Sequence, residues 1–187
     1  MDKEVLMDGK YSIFVQKYYD IIMAENLTIP VTDNREEIYE ALVPQIEALV
    51  GTEKDLIANM ANTAAALHQA FGFLWVGFYL VKGDELVLGP FQGPVACTRL
   101  KRGKGVCGVA WETSETIIVP DVEQFPGHIA CNSDSQSEIV VPLISQGDVI
   151  GVLDIDSNRR NDFHEPDKRY LSYICKMIEA AIQTNNT

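Results

Sequence analysis

Cysteine and histidine are scarce in this chain: four and three residues in 187. The cysteines stand at 97, 107, 131 and 175 and nowhere form a C-x-x-C pair. That argues against paired zinc knuckles and against a thioredoxin-like dithiol motif. Basic residues are also few, 15 Lys and Arg against 27 Asp and Glu, for a formal net charge of −12. A nucleic-acid backbone would be repelled by such a surface, so no nucleic-acid partner is expected. No apolar run approaches the roughly 18 residues of a membrane span. The opening stretch MDKEVLMDGK has no basic segment followed by an apolar one, so the expected location is cytoplasmic. Thiols in a reducing compartment are more often buried, metal-bound or catalytic than permanent staples. Internal repeats and the phosphate-binding G-x-x-x-x-G-K-[ST] pattern are absent as well.

What is present is ordinary globular material, 47% hydrophobic and 22% charged, enough for one well-packed domain. Residues 11–25 carry apolar side chains at helical spacing, and a break follows at NLTIPVTDN. Asn34 can cap a second helix running to about Val50, with Ile38, Leu42, Ile46 and Leu49 on one face and Pro44 expected to kink or divide it. Thr52 can cap a third helix, in which Leu56, Met60, Ala64 and Leu67 form a stripe. The period then changes. FLWVGFYLV, ELVLGPF, VACTRL, TIIVPDV, EIVVPLI and VIGVLDI read as strands, with KGDE and SQGD as hairpin turns. VCGVAWETSE suits a short helix, and a last one starts near Pro166. The expected fold class is α+β: a central, mostly antiparallel sheet of about six strands flanked by helices. Residues 1–33 read as a helical N-terminal extension and residues 34–187 as the domain proper.

Two features suggest chemistry. EQFPGHIACNSDSQS, between two strand candidates, is a long segment without periodicity and holds Cys131. Connections much longer than about 4–6 residues are often functional. VACTRLKRGKGVCG sets Cys97 and Cys107 around a basic, glycine-rich loop. Its glycines would give Cys107 freedom to move, and its cations would favour a thiolate, which an unperturbed thiol is only about 3% of the time at neutral pH. Cys175, beside Ile174 and Ile178, reads as packing. The second feature is GVLDIDS. Alternation puts Asp154 and Asp156 on one face of a strand, with Cα atoms roughly 7 Å apart. Two charges there repel by about 2.4 kcal/mol at an effective dielectric near 20, which a bound ammonium or a retained proton would relieve. Glu138 opens the neighbouring strand and can join them. Trp75 and Tyr79 share a face and can wall a small apolar pocket. A zinc site of Cys97, Cys107, Cys131 and His128 is a rival reading, against which the spacings count; no metal or other cofactor is expected.

WVGFYL, ELVLGPFQGPVAC, GKGVCGVAW, VPDVEQFPGHIACNSDSQSEIVVPL and GVLDIDS, in that order, together resemble the free methionine-(R)-sulfoxide reductase family, which is built on the GAF domain. The resemblance implies a cytoplasmic homodimer that reduces free L-methionine (R)-sulfoxide, with thioredoxin as reductant. It implies Cys131 as the catalytic cysteine, with Cys97 and Cys107 as resolving and auxiliary cysteines. It also implies Glu138, Asp154 and Asp156 as acidic pocket residues, and Trp75 and Tyr79 beside the substrate methyl group. The alternative is a GAF-type module that senses a small ligand without catalysis.

Overall fold

Asn34 and Asp55 each start a helix in the same way. Their side-chain oxygens accept from the backbone N–H of Glu36 and Ala58, filling donors that the first helical turn leaves open. In the computed structural model, which describes residues 26–51, 53–129 and 131–183, these caps open α1 (Arg35–Val50) and α2 (Leu56–Phe71). The expected helix at 11–25 and the expected cap Thr52 lie outside the described residues. Pro44 does not divide α1. Both Pro44 and Glu40, whose carbonyl loses its N–H partner, face solvent, where water can take the freed acceptor. The buried stripe of α1 is Tyr39, Leu42, Ile46 and Val50, shifted around the helix from the expected Ile38 and Leu49.

The strands are β1 (Trp75–Lys82), β2 (Glu85–Gln92), β3 (Arg99–Lys101), β4 (Ile117–Val119), β5 (Ser137–Ser145) and β6 (Asp148–Ser157). Among the described residues they form one six-stranded sheet in the order β3-β2-β1-β6-β5-β4, every neighbouring pair antiparallel. The expected strand at VACTRL shrinks to the three residues of β3, and residues 93–98 form a loop. β5 and β6 join through Gln146 and Gly147, with φ of 54° and 92°. This is a two-residue turn whose positive φ values suit the strand twist. A short helix, α3 (Gly105–Thr113), connects β3 to β4, and α4 (Glu165–Gln183) closes the described chain. No helix among the described residues is long and apolar enough to cross a membrane.

Strand alternation divides the core in two. Val76, Phe78, Ile139, Val141, Leu153 and Ile155 face α1, α2 and α4, whose Leu42, Met60, Leu67, Leu171 and Ile174 complete an apolar layer. The other face carries Trp75, Tyr79, Val140 and Val152 against Val106, Cys107 and Ala110 of α3. Cys175 is buried in the first layer, where it packs as expected.

One polar hub ties the helical layer to the chain end of β6. Asp167, its side chain 1% exposed, takes Arg35 Nη1 at 3.1 Å, the Tyr39 hydroxyl at 2.9 Å and the His164 N–H at 2.8 Å. Arg35 also pairs with Asp162 at 3.0 Å, and its guanidinium lies over the rings of Phe71 and Phe73. Removing one member of such a buried ion pair strands the other and typically costs about 3–5 kcal/mol. Asp167→Ala is expected to lower unfolding stability by about that much in urea denaturation at neutral pH, while Arg169→Ala, which removes an exposed pair with Glu36, is expected to leave the urea midpoint nearly unchanged.

Candidate active site

The register places the acidic side chains. Glu138 of β5 lies opposite Asp156 of β6, and Asp156 lies opposite Trp75 of β1; Asp154 sits between Val140 and Gly77. All these residues point to the α3 face of the sheet, because residues 153 and 155 between the aspartates belong to the helical layer. Glu138 and Asp154 are buried, and Asp156 is partly exposed. Burial pushes all three carboxyl groups up from the ordinary range. The charge of Asp156 adds to the rise at Glu138, and the charges of Glu138 and Asp156 add to it at Asp154. At Asp156, the hydroxyl of Ser135, which donates to Oδ1, and the nearby His128 oppose the rise. The floor of the pocket is thus a set of carboxyl groups that retains protons or requires a cation.

Trp75 and Tyr79 form one wall, their ring centroids 5.9 Å apart. Between them in sequence stands Gly77. A Cβ there would meet the Trp75 ring at 2.3 Å and Phe91 Cβ at 2.5 Å, so the glycine is what lets the indole fold across the strand. Both aromatic tips reach the 93–98 loop. Trp75 Nε1 donates to Pro94 O at 3.1 Å, and the Tyr79 hydroxyl donates to Cys97 O at 3.0 Å. Burial and the neighbouring carboxylates raise the Tyr79 phenol far above its usual range, so it stays neutral and keeps donating.

That loop carries Cys97, which is joined by a disulfide to Cys131 on the long segment before β5, with Cα atoms 5.4 Å apart and a sequence separation of 34. Cys131 lines the pocket together with Cys107, Trp75, Tyr79, Glu138, Asp154 and Asp156. The structure therefore brings all eight expected site residues together, Cys97 through its bond to Cys131. His128 lines the same pocket, with Nε2 3.7 Å from Glu138 Oε2.

Cys107 corrects two expectations. It lies in the first turn of α3, 4% exposed, and not on a loose loop. The glycines around it serve close packing: a Cβ at Gly108 would meet Lys101 O at 2.2 Å. Nor do the basic residues favour a thiolate there. Burial, with Asp154 and Glu138 beside it, pushes the Cys107 thiol well up. The zinc set imagined from sequence also separates, since two of its thiols are bonded to each other. Gly77 and Ser135 are site residues that sequence reasoning missed; a glycine inside an aromatic strand is a readable sign of close approach, whereas the reach of Ser135 depends on how its loop folds.

An antiparallel α+β domain with a cysteine pair at the mouth of a carboxylate-floored pocket defines a redox-capable ligand-binding site. Residues 55–182 match the GAF domain family. The free methionine-R-sulfoxide reductase of Saccharomyces cerevisiae is 44% identical over 154 residues, 78% of this chain and 86% of that protein. The GAF domain-containing protein A of Dictyostelium discoideum is 58% identical over 158 residues, 84% of this chain and 99% of that protein. The crystal structure of free methionine-R-sulfoxide reductase from Neisseria meningitidis in complex with its substrate superposes with a TM-score of 0.84 at 50% identity, covering 86% of this chain and 97% of that one. The chain belongs to the GAF-domain family and, within it, to the free methionine-R-sulfoxide reductases.

The raised carboxyl groups make a signed stability prediction. An acid whose folded pKa lies above its unfolded value costs stability once pH exceeds the unfolded value, near 4, because the unfolded chain has released a proton that the fold still holds or must release unfavourably. Asp154→Asn is therefore expected to be more stable than the parent at neutral pH. The gain should shrink as pH falls and vanish below about pH 4. Urea midpoints across that pH range check it, and a variant less stable at neutral pH than at pH 4, relative to the parent, contradicts it.

Proposed function

We propose that the protein reduces free L-methionine (R)-sulfoxide to L-methionine and is recycled by a dithiol reductant, with thioredoxin as the expected one. The observation that carries this reading is the Cys97–Cys131 bond at the mouth of a pocket floored by Glu138, Asp154 and Asp156. The named reductases among its relatives support it.

In this mechanism the substrate methyl group rests against Trp75 and Tyr79, and its ammonium lies among the carboxyl groups. The Cys131 thiolate attacks the sulfoxide sulfur. As the S–O bond weakens, a carboxyl group that retains its proton donates it to the oxygen. Methionine leaves, its sulfur reduced by two electrons, and Cys131 is oxidised to a sulfenic acid. The Cys97 thiol attacks that sulfur; water departs and the disulfide forms. A thiolate of the reductant then opens the disulfide, and its second thiol releases the reduced enzyme. Cys107 stays protonated beneath the substrate, with Sγ 4.0 Å from Glu138 Oε1, in place of the mobile resolving role open to it on sequence.

Cys131→Ser is expected to abolish sulfoxide reduction even with dithiothreitol. Cys97→Ser should release a first equivalent of methionine yet lose nearly all thioredoxin-driven turnover. Quantified methionine in single-turnover and steady-state assays separates the two, and appreciable turnover by Cys131→Ser overturns the assignment.

Specificity follows from the floor charge. A peptide-bound or N-acetylated sulfoxide offers a neutral amide where the free amino acid has an ammonium. Losing a charge-assisted contact and leaving carboxylates unpaired costs on the order of 2–5 kcal/mol, or roughly 30- to 4000-fold. kcat/KM for the N-acetylated sulfoxide is expected to fall within that range below the free one. Equal values would remove the ammonium from the pocket floor.

A further inference from the structure

The floor of the pocket is also a donor set that one metal ion would recognise. Cys107 Sγ, one Glu138 oxygen and one Asp154 oxygen all lie within 4.8 Å of one another, and all three residues are buried. Within the set, Cys107 Sγ is 4.0 Å from Glu138 Oε1. A fourth donor stands at the rim: His128 Nε2 is 3.7 Å from Glu138 Oε2. Independently, Asp154 Oδ1 is buried without a hydrogen-bond partner, and Asp154 lines the pocket, 7% exposed. A native fold seldom leaves a buried carboxylate oxygen unmatched unless something binds it.

We propose that Cys107, Glu138 and Asp154 bind one zinc ion, with His128 or a water as fourth ligand, and that zinc competes there with the substrate ammonium. The competition, though not the ion site, rests on the function proposed above. Thiolate, carboxylate and imidazole are all zinc donors, at about 2.3, 2.0–2.2 and 2.0–2.1 Å. In a tetrahedron those lengths set neighbouring donors about 3.4–3.6 Å apart, so the 4.0 Å between Cys107 and Glu138 needs to close by a few tenths of an ångström, and the widest pair, within 4.8 Å, by up to about an ångström. One thiolate and two carboxylates more than balance the dication, leaving the occupied site with one net negative charge where the free set would carry three. Calcium and magnesium fit poorly, because they take six or more oxygens and have no preference for sulfur. The Cys97–Cys131 bond does not disturb the set. With those two thiols tied up, Cys107 is the one free thiol among the described residues that lines the pocket. The zinc site therefore exists in the disulfide form, unlike a set that needs all three pocket cysteines.

The test uses the full-length disulfide form in chelator-free buffer, titrated calorimetrically with zinc chloride, with cobalt(II) as the spectroscopic probe. One equivalent is expected to bind, and cobalt is expected to give a thiolate charge-transfer band. Cys107→Ser should abolish the band and weaken zinc by about 100-fold or more, beyond the loss usual for an outer-shell change. Asp154→Asn should weaken it comparably, and Cys175→Ser should leave it unchanged. Should Cys107→Ser fail to fold, the cobalt band of the parent and the Asp154→Asn titration decide. No saturable binding, a cobalt spectrum without a thiolate band, or unchanged affinity in Asp154→Asn overturns the site. Saturating free methionine sulfoxide is expected to weaken apparent zinc affinity; no effect overturns the competition. The two readings fail separately: sulfoxide turnover without zinc binding overturns only the ion site, and zinc binding without turnover overturns only the reductase.

Discussion

Three carboxyl groups crowded on one face of a sheet are the constraint around which this molecule is arranged. Glu138 and Asp156 are direct cross-strand partners, and Asp154 lies one step along the same face. Like charges opposite one another weaken a sheet, and burial makes each charge costlier still. The rest of the sheet offsets this with an opposite face that is apolar along β1, β5 and β6 and covered by three helices. An arrangement that spends stability at one spot and recovers it in packing elsewhere is typical of a site held ready for chemistry.

The aromatic wall answers a different demand. Trp75 and Tyr79 bury their rings beside the acids, yet each sends its polar tip to a carbonyl of the loop that bears Cys97. The position of that cysteine is therefore linked to the strand that forms the pocket wall. Cys131 arrives from the other side, on the segment before Glu138. Neither cysteine belongs to a strand or helix, whereas the acids stand on β5 and β6. This division, acids on strands and cysteines on loops, suits the proposed cycle, in which the sulfur–sulfur bond forms and breaks above the acidic floor.

Period-2 alternation made much of this legible. DID at 154–156 sets two acids together, WVGFY sets Trp75 and Tyr79 together, and the SQGD turn fixes how β5 meets β6, hence where Glu138 falls. The order of the motifs was enough to suggest the family. Other features were hidden because they are tertiary. Gly103, Gly105 and Gly108 read as freedom, since glycine displays only its missing side chain; the 2.2 Å clash that a Cβ at Gly108 would make with Lys101 O exists only in the fold. The pairing of Cys97 with Cys131, in place of Cys107, depends on a loop and on a helix start that no local pattern specifies. VACTRL has strand composition, but its first residues leave the sheet, and the carbonyls of Cys97 and of Pro94 just before it are taken by the tips of Tyr79 and Trp75.

A ligand-sensing GAF module and a reductase would share the sheet, the pocket and even the acidic floor, so fold cannot choose between them. The cysteines can. A sensor gains from a pocket that stays open to its ligand, whereas the Cys97–Cys131 bond ties the two loops at the pocket mouth together. For an enzyme working by the proposed cycle, the same bond is the one that each turnover would leave behind. It is formed by the two cysteines that loops bring to the pocket edge, while the deeper thiol, Cys107, is held protonated by burial and by Asp154 and Glu138. A thiol so placed would be a poor nucleophile, because attack needs the thiolate. Cys131, on the loop side of the pocket and only partly buried, escapes that full burial. In the proposed cycle the carboxyl groups thus sort the cysteines by depth, holding the inner one as a thiol and leaving the outer pair to carry the electrons.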